Sequence, residues 1–385
     1  MATTPVASDG RHHSPTSPPE PQEPGLASTA SGALTPTPTL PRRGRRRRVA
    51  DPDLPVRKST RPRTDIDYKN VENGDSAFKY RWTRVLAQRE GQWGADDFLR
   101  VRGDACTVAW LAQTGFARPV VVPEPAGLDM AMPPADLTPH DVARAVGPAV
   151  HVQVLEVTTQ QASTMNLASF ADYYAQPASE RTQLLNVITL EIEETALGAM
   201  VRRPRVVRDL DWTAQHWPPF LHAHRHYPRV RVYCLMSVAD AFTDFHLDFG
   251  GSSVFYHLLS GEKIFYLVEP TPRNLRRYEK WSNSDDQSRT FFGDVVGMPQ
   301  VHRVHLSAGN TMLIPGGWIH AVFTPCNTMV IGGNFLQSYG IEQQWAVQEL
   351  ETRSKMHSKF RFPMWEALQW YVARDCASRL RAEQD

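Results

Sequence analysis

Between residues 230 and 340, apolar positions recur in short runs separated by Gly, Ser, Asn or Pro. The runs are "VRVYCLMSV", "TDFHLDF", "SVFYHLL", "KIFYLVE", "VHRVHLS", "TMLIP", "WIHAVFT" and "TMVIGGNFL". Runs of this length, rich in Val, Ile, Tyr and Phe and closed by turn residues, predict strands. Their regular spacing predicts an antiparallel sandwich or barrel rather than alternating strand–helix units. Upstream, "HVQVLEV" alternates polar and apolar residues as a half-buried strand does, and "VITLEI" reads as a second strand. "TPHDVARAVG" predicts a helix with Thr138 as N-cap, Asp141 completing a capping box and Gly147 as the stop. "NLASFADYYAQP" and "ERTQLLN" also read as helical, and "ADDFLRVRG" and "ACTVAWLAQTG" as short elements closed by glycines. Residues 341–385 return to helix, with Trp345, Leu350, Trp365, Leu368 and Trp370 as the expected apolar contribution. The fold class is mainly β with helical additions.

Composition changes this picture at the N-terminus. Residues 1–63 carry 12 of the 30 prolines and no aromatic residue. Such a segment buries too little apolar surface to offset the entropy of ordering, so a disordered arm is expected over residues 1–75. Within it, "PRRGRRRR" and "VRKSTRPR" give residues 41–63 ten Lys or Arg against Asp51 and Asp53, a local net charge of +8. That cluster reads as a nuclear localisation signal, and Arg42 to Arg63 is also the one candidate for non-specific contact with DNA phosphates. The bland alternative is a solvated basic tail. From about residue 76 aromatic residues arrive and prolines thin out. The expected organisation is a mixed α/β part over 76–180, a β core over 181–340 and a helical part over 341–385.

The whole chain has a formal net charge of only +1 and is 41% hydrophobic, which suits a globular protein with a sizeable core. Cys106, Cys234, Cys326 and Cys376 lie far apart with no CxxC pair. This excludes a conventional zinc finger and argues for a reducing compartment. The N-terminus lacks a signal-peptide apolar stretch and no run is long enough to span a membrane, so a cytosolic or nuclear protein is expected.

The chemistry concentrates in "TDFHLDFGGSSVFYHLLSGEKIF". In an ideal strand Thr243, Phe245, Leu247 and Phe249 share one face, and Asp244, His246 and Asp248 the other. His246 and Asp248 then project together as two members of a 2-His-1-carboxylate set, which holds non-haem Fe(II) with positions left open. In a chain with 14 His and 41 Asp or Glu, a His-x-Asp match is weak by itself. Context adds His320, directly after a Gly-Gly turn in another predicted strand. It also adds Lys263, which a hairpin at "SGE" would return to the neighbourhood of the first strand. A metal triad beside an interior ammonium is what a 2-oxoglutarate-dependent oxygenase requires, because the far carboxylate of that cosubstrate needs a buried cation. Each residue alone also fits an ordinary role: a satisfied core histidine, a capping carboxylate, a lysine reaching out from a strand end. The other histidines compete poorly. "HAHRH" (His222, His224, His226) reads as an exposed loop, His302 and His305 would face opposite sides of a strand, and at most one of Tyr256 and His257 faces the site.

The stretch "YCLMSVADAFTDFHLDFGGSSVFYHLLSGEKIFYLVEPT", together with "FFGD", "IPGGWIHAVFTP", "GGNFL" and "FRFPMWEALQWYV", closely resembles the JmjC-domain histone lysine demethylases that act on lysine 36 of histone H3, of fungal type. The similarity runs from about residue 150 to about 373. It implies a double-stranded β-helix, that is, a jelly-roll of cupin type. It also implies His246, Asp248 and His320 as iron ligands, and Lys263, Thr243, Asn186 and Tyr256 as the 2-oxoglutarate site. Thr243 stands on the wrong face of an ideal strand for this role, which therefore requires a bend or bulge. The implied reaction uses Fe(II), 2-oxoglutarate and O2 to hydroxylate an N-methyl group of mono- or dimethyl-lysine, which leaves as formaldehyde. The implied partners are the histone H3 tail or nucleosome, and the implied compartment is the nucleus. Thr158 in "EVTTQ" departs from the Asn that such proteins usually carry, and no zinc module or repeat is available for chromatin targeting. Other readings are a protein hydroxylase of the same fold, an inactive chromatin-binding module and, more remotely, a metal-binding cupin isomerase.

Overall fold

The eight apolar runs between 230 and 340 are all strands in the structure, a computed structural model that describes residues 79–384. The expected disordered arm and its basic cluster lie outside the described residues. The strands are β1 (Leu99–Arg100), β2 (Val120–Val122), β3 (His151–Glu156), β4 (Gln161–Asn166), β5 (Leu185–Glu191), β6 (Tyr233–Ser237) and β7 (Ala241–His246). They continue with β8 (Ser253–Ser260), β9 (Glu262–Val268), β10 (His302–Ser307), β11 (Thr311–Ile314), β12 (Ile319–Thr324) and β13 (Thr328–Phe335). They form a nine-stranded sheet in the order β1-β2-β11-β8-β13-β6-β5-β3-β4 and a four-stranded sheet in the order β10-β9-β12-β7. Every pairing is antiparallel except β1 with β2. The expected jelly-roll core is therefore present, with extra strands extending its larger sheet.

Apolar side chains sort the two sheets into layers. Val254, Tyr256, Leu258, Phe265, Leu267 and Val330 meet between the sheets. The outer face of the large sheet packs Val154, Val187 and Ile331 against Leu111, Phe170 and Val207 from neighbouring helices. On the outer face of the small sheet, Ile264, Tyr266 and Ala321 pack against Trp82, Tyr278 and Phe292. Burial on both faces explains why β8 and β13 read as nearly continuous apolar runs instead of alternating.

Several expectations change. "ERTQLLN" is not helical, because β5 already begins at Leu185 and its alternation runs on into "VITLEI". β4 was not expected: its residues are mostly polar and largely exposed, and only pairing with β3 makes it a strand. Of the five apolar residues expected to anchor the C-terminal helices, Leu350, Trp365 and Leu368 are buried whereas Trp345 and Trp370 are exposed. The anticipated hairpin at "SGE" is absent as well. At Gly261, whose φ is +78°, the chain crosses from β8 in the large sheet to β9 in the small one. Lys263 therefore approaches β7 across β12 and not through a hairpin. The helix Pro139–Val146 has the predicted capping box between Thr138 and Asp141. No helix among the described residues is long and apolar enough to cross a membrane, and all four cysteines are free.

β7 is the outer strand of the small sheet, so one of its edges has no ladder partner. The side chain of Gln160 serves instead: its Nε2 donates to the Phe242 carbonyl at 2.9 Å, and its Oε1 accepts from the Asp244 N–H at 3.0 Å. Gln160 itself has φ +57°, a conformation that few residues other than glycine adopt without such anchoring. Replacing it, as Gln160→Ala, orphans two half-buried backbone groups and should lower stability by about 1–3 kcal/mol. Urea unfolding checks this; a loss below about 0.3 kcal/mol would show that solvent substitutes for the amide.

Candidate metal and dicarboxylate site

The pairing of β7 with β12 slips by one residue. His246 lies opposite His320, yet Thr243 lies opposite Val322, so three steps on β7 match two on β12. This bulge turns both Thr243 and His246 toward the space between the sheets, where both line one cavity. It supplies the bend that a cosubstrate role for Thr243 requires. It also corrects the expected faces, because Asp244 points away from His246. The Asp244 carboxylate is buried on the outer side, accepting from the Phe245 N–H at 2.8 Å and from Gln287 at 3.2 Å, and burial pushes it up to about 7. Asp248 is not on a strand at all. It follows β7 with extended backbone (φ −66°, ψ 138°) and opens the turn Phe249–Gly251.

His246, Asp248 and His320 nonetheless converge. One ligand atom from each lies within 4.8 Å of the others, and the two imidazole rings sit 4.2 Å apart. Among the described residues no other three His, Cys, Asp or Glu side chains gather so closely. The outer nitrogens are already committed: His246 Nδ1 donates to the Asp244 carbonyl at 2.8 Å and His320 Nδ1 to the Trp318 carbonyl at 3.0 Å. Such second partners fix the tautomer and leave each Nε2 lone pair facing inward. Burial and the neighbouring His320 hold His246 well below the usual imidazole range, so it stays neutral as a metal ligand must. Asp248 Oδ1 accepts from Asn334 Nδ2 at 3.1 Å, and Asn334 also bonds Ser252. Two imidazoles and one carboxylate, with a cavity of about 520 Å³ beside them, form a donor set that fits a non-haem Fe(II) ion.

The opposite part of the cavity holds Lys263, which is 2% exposed. Its Nζ donates to Ser237 Oγ and Thr324 Oγ1, each at 2.7 Å. Ser237 Oγ donates to Asn186 Oδ1 at 2.6 Å, and Asn186 Nδ2 donates to Thr243 Oγ1 at 3.0 Å. Lys263, Ser237, Asn186 and Thr243 thus form one chain of hydrogen bonds between the two sheets. The bonds recorded for the ammonium run to neutral hydroxyls, and burial lowers it to about 7. Tyr256 lines the same cavity from β8, edge-on to Phe265. The structure therefore brings all seven expected site residues to one cavity. Ser237, Thr324 and Asn334 were not singled out from sequence. Small hydroxyl and amide residues on buried strands give no local signal, although Asn334 sits inside the quoted "GGNFL".

The remaining histidines do other things. His222 ends a short helix, Pro219–Ala223, and stacks on Tyr227 at 4.1 Å, while His224 and His226 are exposed. His302 bonds the Ala95 carbonyl and His305 bonds Glu262. His257 faces away from Tyr256 and bonds Thr311. Thr158 does not line the cavity; its N–H is held by Glu156.

Comparison with known proteins adds to this geometry. Residues 339–385 match the family model described as the Jumonji helical domain. The chain is 41% identical over 330 residues to a JmjC domain-containing histone demethylation protein 1 of Yarrowia lipolytica, covering 83% of this chain and 64% of that protein. It is 40% identical over 321 residues to lysine-specific demethylase 7B of Danio rerio, covering 83% and 54%. To a JmjC domain-containing histone demethylation protein 1 of Aspergillus fumigatus it is 37% identical over 375 residues, covering 83% and 26%. The chain thus spans between about a quarter and just under two-thirds of the length of these relatives.

The buried ammonium gives a pH prediction. With Lys263 lowered to about 7 in the folded protein, the unfolded chain holds more protons at this position between that value and its ordinary range near 10.5. The penalty of burying the charge is therefore fully present below about pH 7 and is lost as pH rises toward about 10. Lys263→Met should be stabilising relative to the natural chain near neutral pH, and that advantage should shrink with rising pH. Urea unfolding of both proteins at about pH 7 and about pH 10 measures it. An advantage independent of pH would mean that Lys263 is solvated.

Proposed function

The chain belongs to the family of JmjC-domain histone demethylation proteins, and on that premise we propose that it is an Fe(II)- and 2-oxoglutarate-dependent demethylase of histone H3, acting on mono- and dimethyl-lysine 36. The observation that carries this reading is one cavity with a three-ligand donor set at one end and an ammonium hydrogen-bonded to neutral hydroxyls at the other. A monodentate ligand at the metal would leave Lys263 without purpose. A 2-oxo dicarboxylate engages both, its keto-acid end at the metal and its distal carboxylate at Lys263 and Thr243.

When bound, iron and cosubstrate supply oxidation of an N-methyl C–H bond by O2, giving succinate, CO2 and a carbinolamine that releases formaldehyde. The protein's own residues bind and orient. His246, Asp248 and His320 would hold the metal. Asn186 and Ser237 keep Thr243 and Lys263 aimed at one point. The wall formed by Tyr256, Phe265 and Val322 keeps water from the cosubstrate end. Tyr233 and Phe360, which also line the cavity, offer aromatic faces that a methylammonium group favours. Residues 41–63, with their net charge of +8, suit nuclear import and non-specific contact with DNA phosphates.

Purified protein supplied with Fe(II), 2-oxoglutarate, ascorbate and a histone H3 peptide dimethylated at lysine 36 should release formaldehyde and succinate in equal amounts. Asp248→Ala should abolish both. Succinate without formaldehyde would replace demethylation with hydroxylation of another substrate, and iron binding with neither product would leave a chromatin-docking module.

A further inference from the structure

The turn that carries Asp248 is closed by two backbone hydrogen bonds, from the Gly251 N–H to the Asp248 carbonyl at 3.2 Å and from the Ser252 N–H to the Phe249 carbonyl at 3.1 Å, and its middle is held from outside. Asp248 leaves β7, and Phe249–Gly251 bring the chain round to β8. Gly250 and Gly251 have φ of +59° and +64° and no side chain with which to anchor. The two polar groups of the Gly250 backbone are taken instead by residues about a hundred positions later. Glu351, buried on the helix Ile341–Arg353, accepts the Gly250 N–H through Oε1 at 2.7 Å. Trp365, the first residue of the helix Trp365–Ala382, donates its indole N–H to the Gly250 carbonyl at 3.2 Å. The fit is tight: a Cβ on Gly250 would lie 2.7 Å from Trp365 and 2.8 Å from Phe362, and one on Gly251 2.6 Å from the Gln344 backbone.

Glu351 is an expensive choice for this contact. Its second carboxylate oxygen is buried with no hydrogen-bond partner among the described residues, although Arg361, which donates to the Glu351 carbonyl at 3.0 Å, lies close by. A buried carboxyl group left half unpaired costs stability, and among the described residues it is the side-chain acceptor of the Gly250 N–H, which points to a role beyond packing. We infer that Glu351 and Trp365 are positioning residues for the metal centre: the C-terminal helices clasp Gly250 and so fix the direction in which Asp248 offers its carboxylate. This rests on the metal site of the proposed function, and it assigns to the helical segment a share in building that site.

The test is titration of the purified chain with Co(II) under anaerobic conditions, following its visible absorption with and without 2-oxoglutarate. If the natural chain binds no Co(II), the metal-site reading itself fails. Given binding, Glu351→Leu should weaken Co(II) affinity about tenfold, the scale of outer-partner losses in metal sites, and alter the absorption band. Glu351→Gln keeps an acceptor for the Gly250 N–H and should retain both affinity and band. Val347→Ala, buried on the same helix but with an apolar side chain that cannot hydrogen-bond Gly250, should lower stability and leave affinity unchanged. Should Glu351→Leu fail to fold, Trp365→Phe decides, because it removes the donor to the Gly250 carbonyl while keeping an aromatic ring at the site, and should weaken binding several-fold. Unchanged affinity and spectrum in the variant that folds, or an equal loss in Val347→Ala, overturns the inference.

Discussion

One additional residue in β7, relative to its partner β12, sets the directions in which Thr243, Asp244 and His246 leave the strand at the centre of this protein. Without it, Thr243 would face outward when His246 faces inward, and the polar chain from Lys263 through Ser237 and Asn186 would end on an apolar surface. With it, Asp244 is carried to the outer side, where Gln287 bonds its carboxylate. As an outer strand β7 also has backbone groups without ladder partners, and Gln160 supplies partners for two of them. The interior therefore depends on a side chain from the loop between β3 and β4, far from the chemistry in sequence.

The cavity separates two kinds of electrostatic environment over a short distance. At the donor-set end, the outer nitrogens of both histidines are tied to carbonyls, which leaves each Nε2 to face a cation. At the far end a cation is already present and its recorded bonds go to hydroxyls, so the unmet demand there is for an anion. Between them lie Tyr256, Phe265 and Val322, a low-dielectric stretch that keeps either charge from being quenched by solvent.

The strands and most of the site were legible in the sequence for a physical reason. Alternation and turn residues report on local geometry, and a charge inside an apolar run reports on a buried function. His246, Asp248, Lys263 and His320 each break such a run. What was not legible depends on pairing between distant segments. β4 is mostly polar, without the alternation of a half-buried strand, and becomes a strand only beside β3. The crossing at Gly261 resembles a hairpin turn locally, and only the sheet assignment of its two flanks distinguishes them. Trp345 and Trp370 look like core residues by type, but the helices that carry them turn other faces inward. The bulge left a trace, since the resemblance placed Thr243 in the site while strand geometry placed it outside.

The close fit of Gly250 and Gly251 against the C-terminal helices has a consequence for how substitutions combine. Residues 249–251 and the helical residues Gln344, Glu351, Phe362 and Trp365 share contacts that leave no slack for independent adjustment. Changes made in the two segments therefore do not add: a second substitution acts on a neighbour already displaced by the first. A substitution in the helices is accommodated only as far as the turn can move with it, so the two segments respond to change as a single unit.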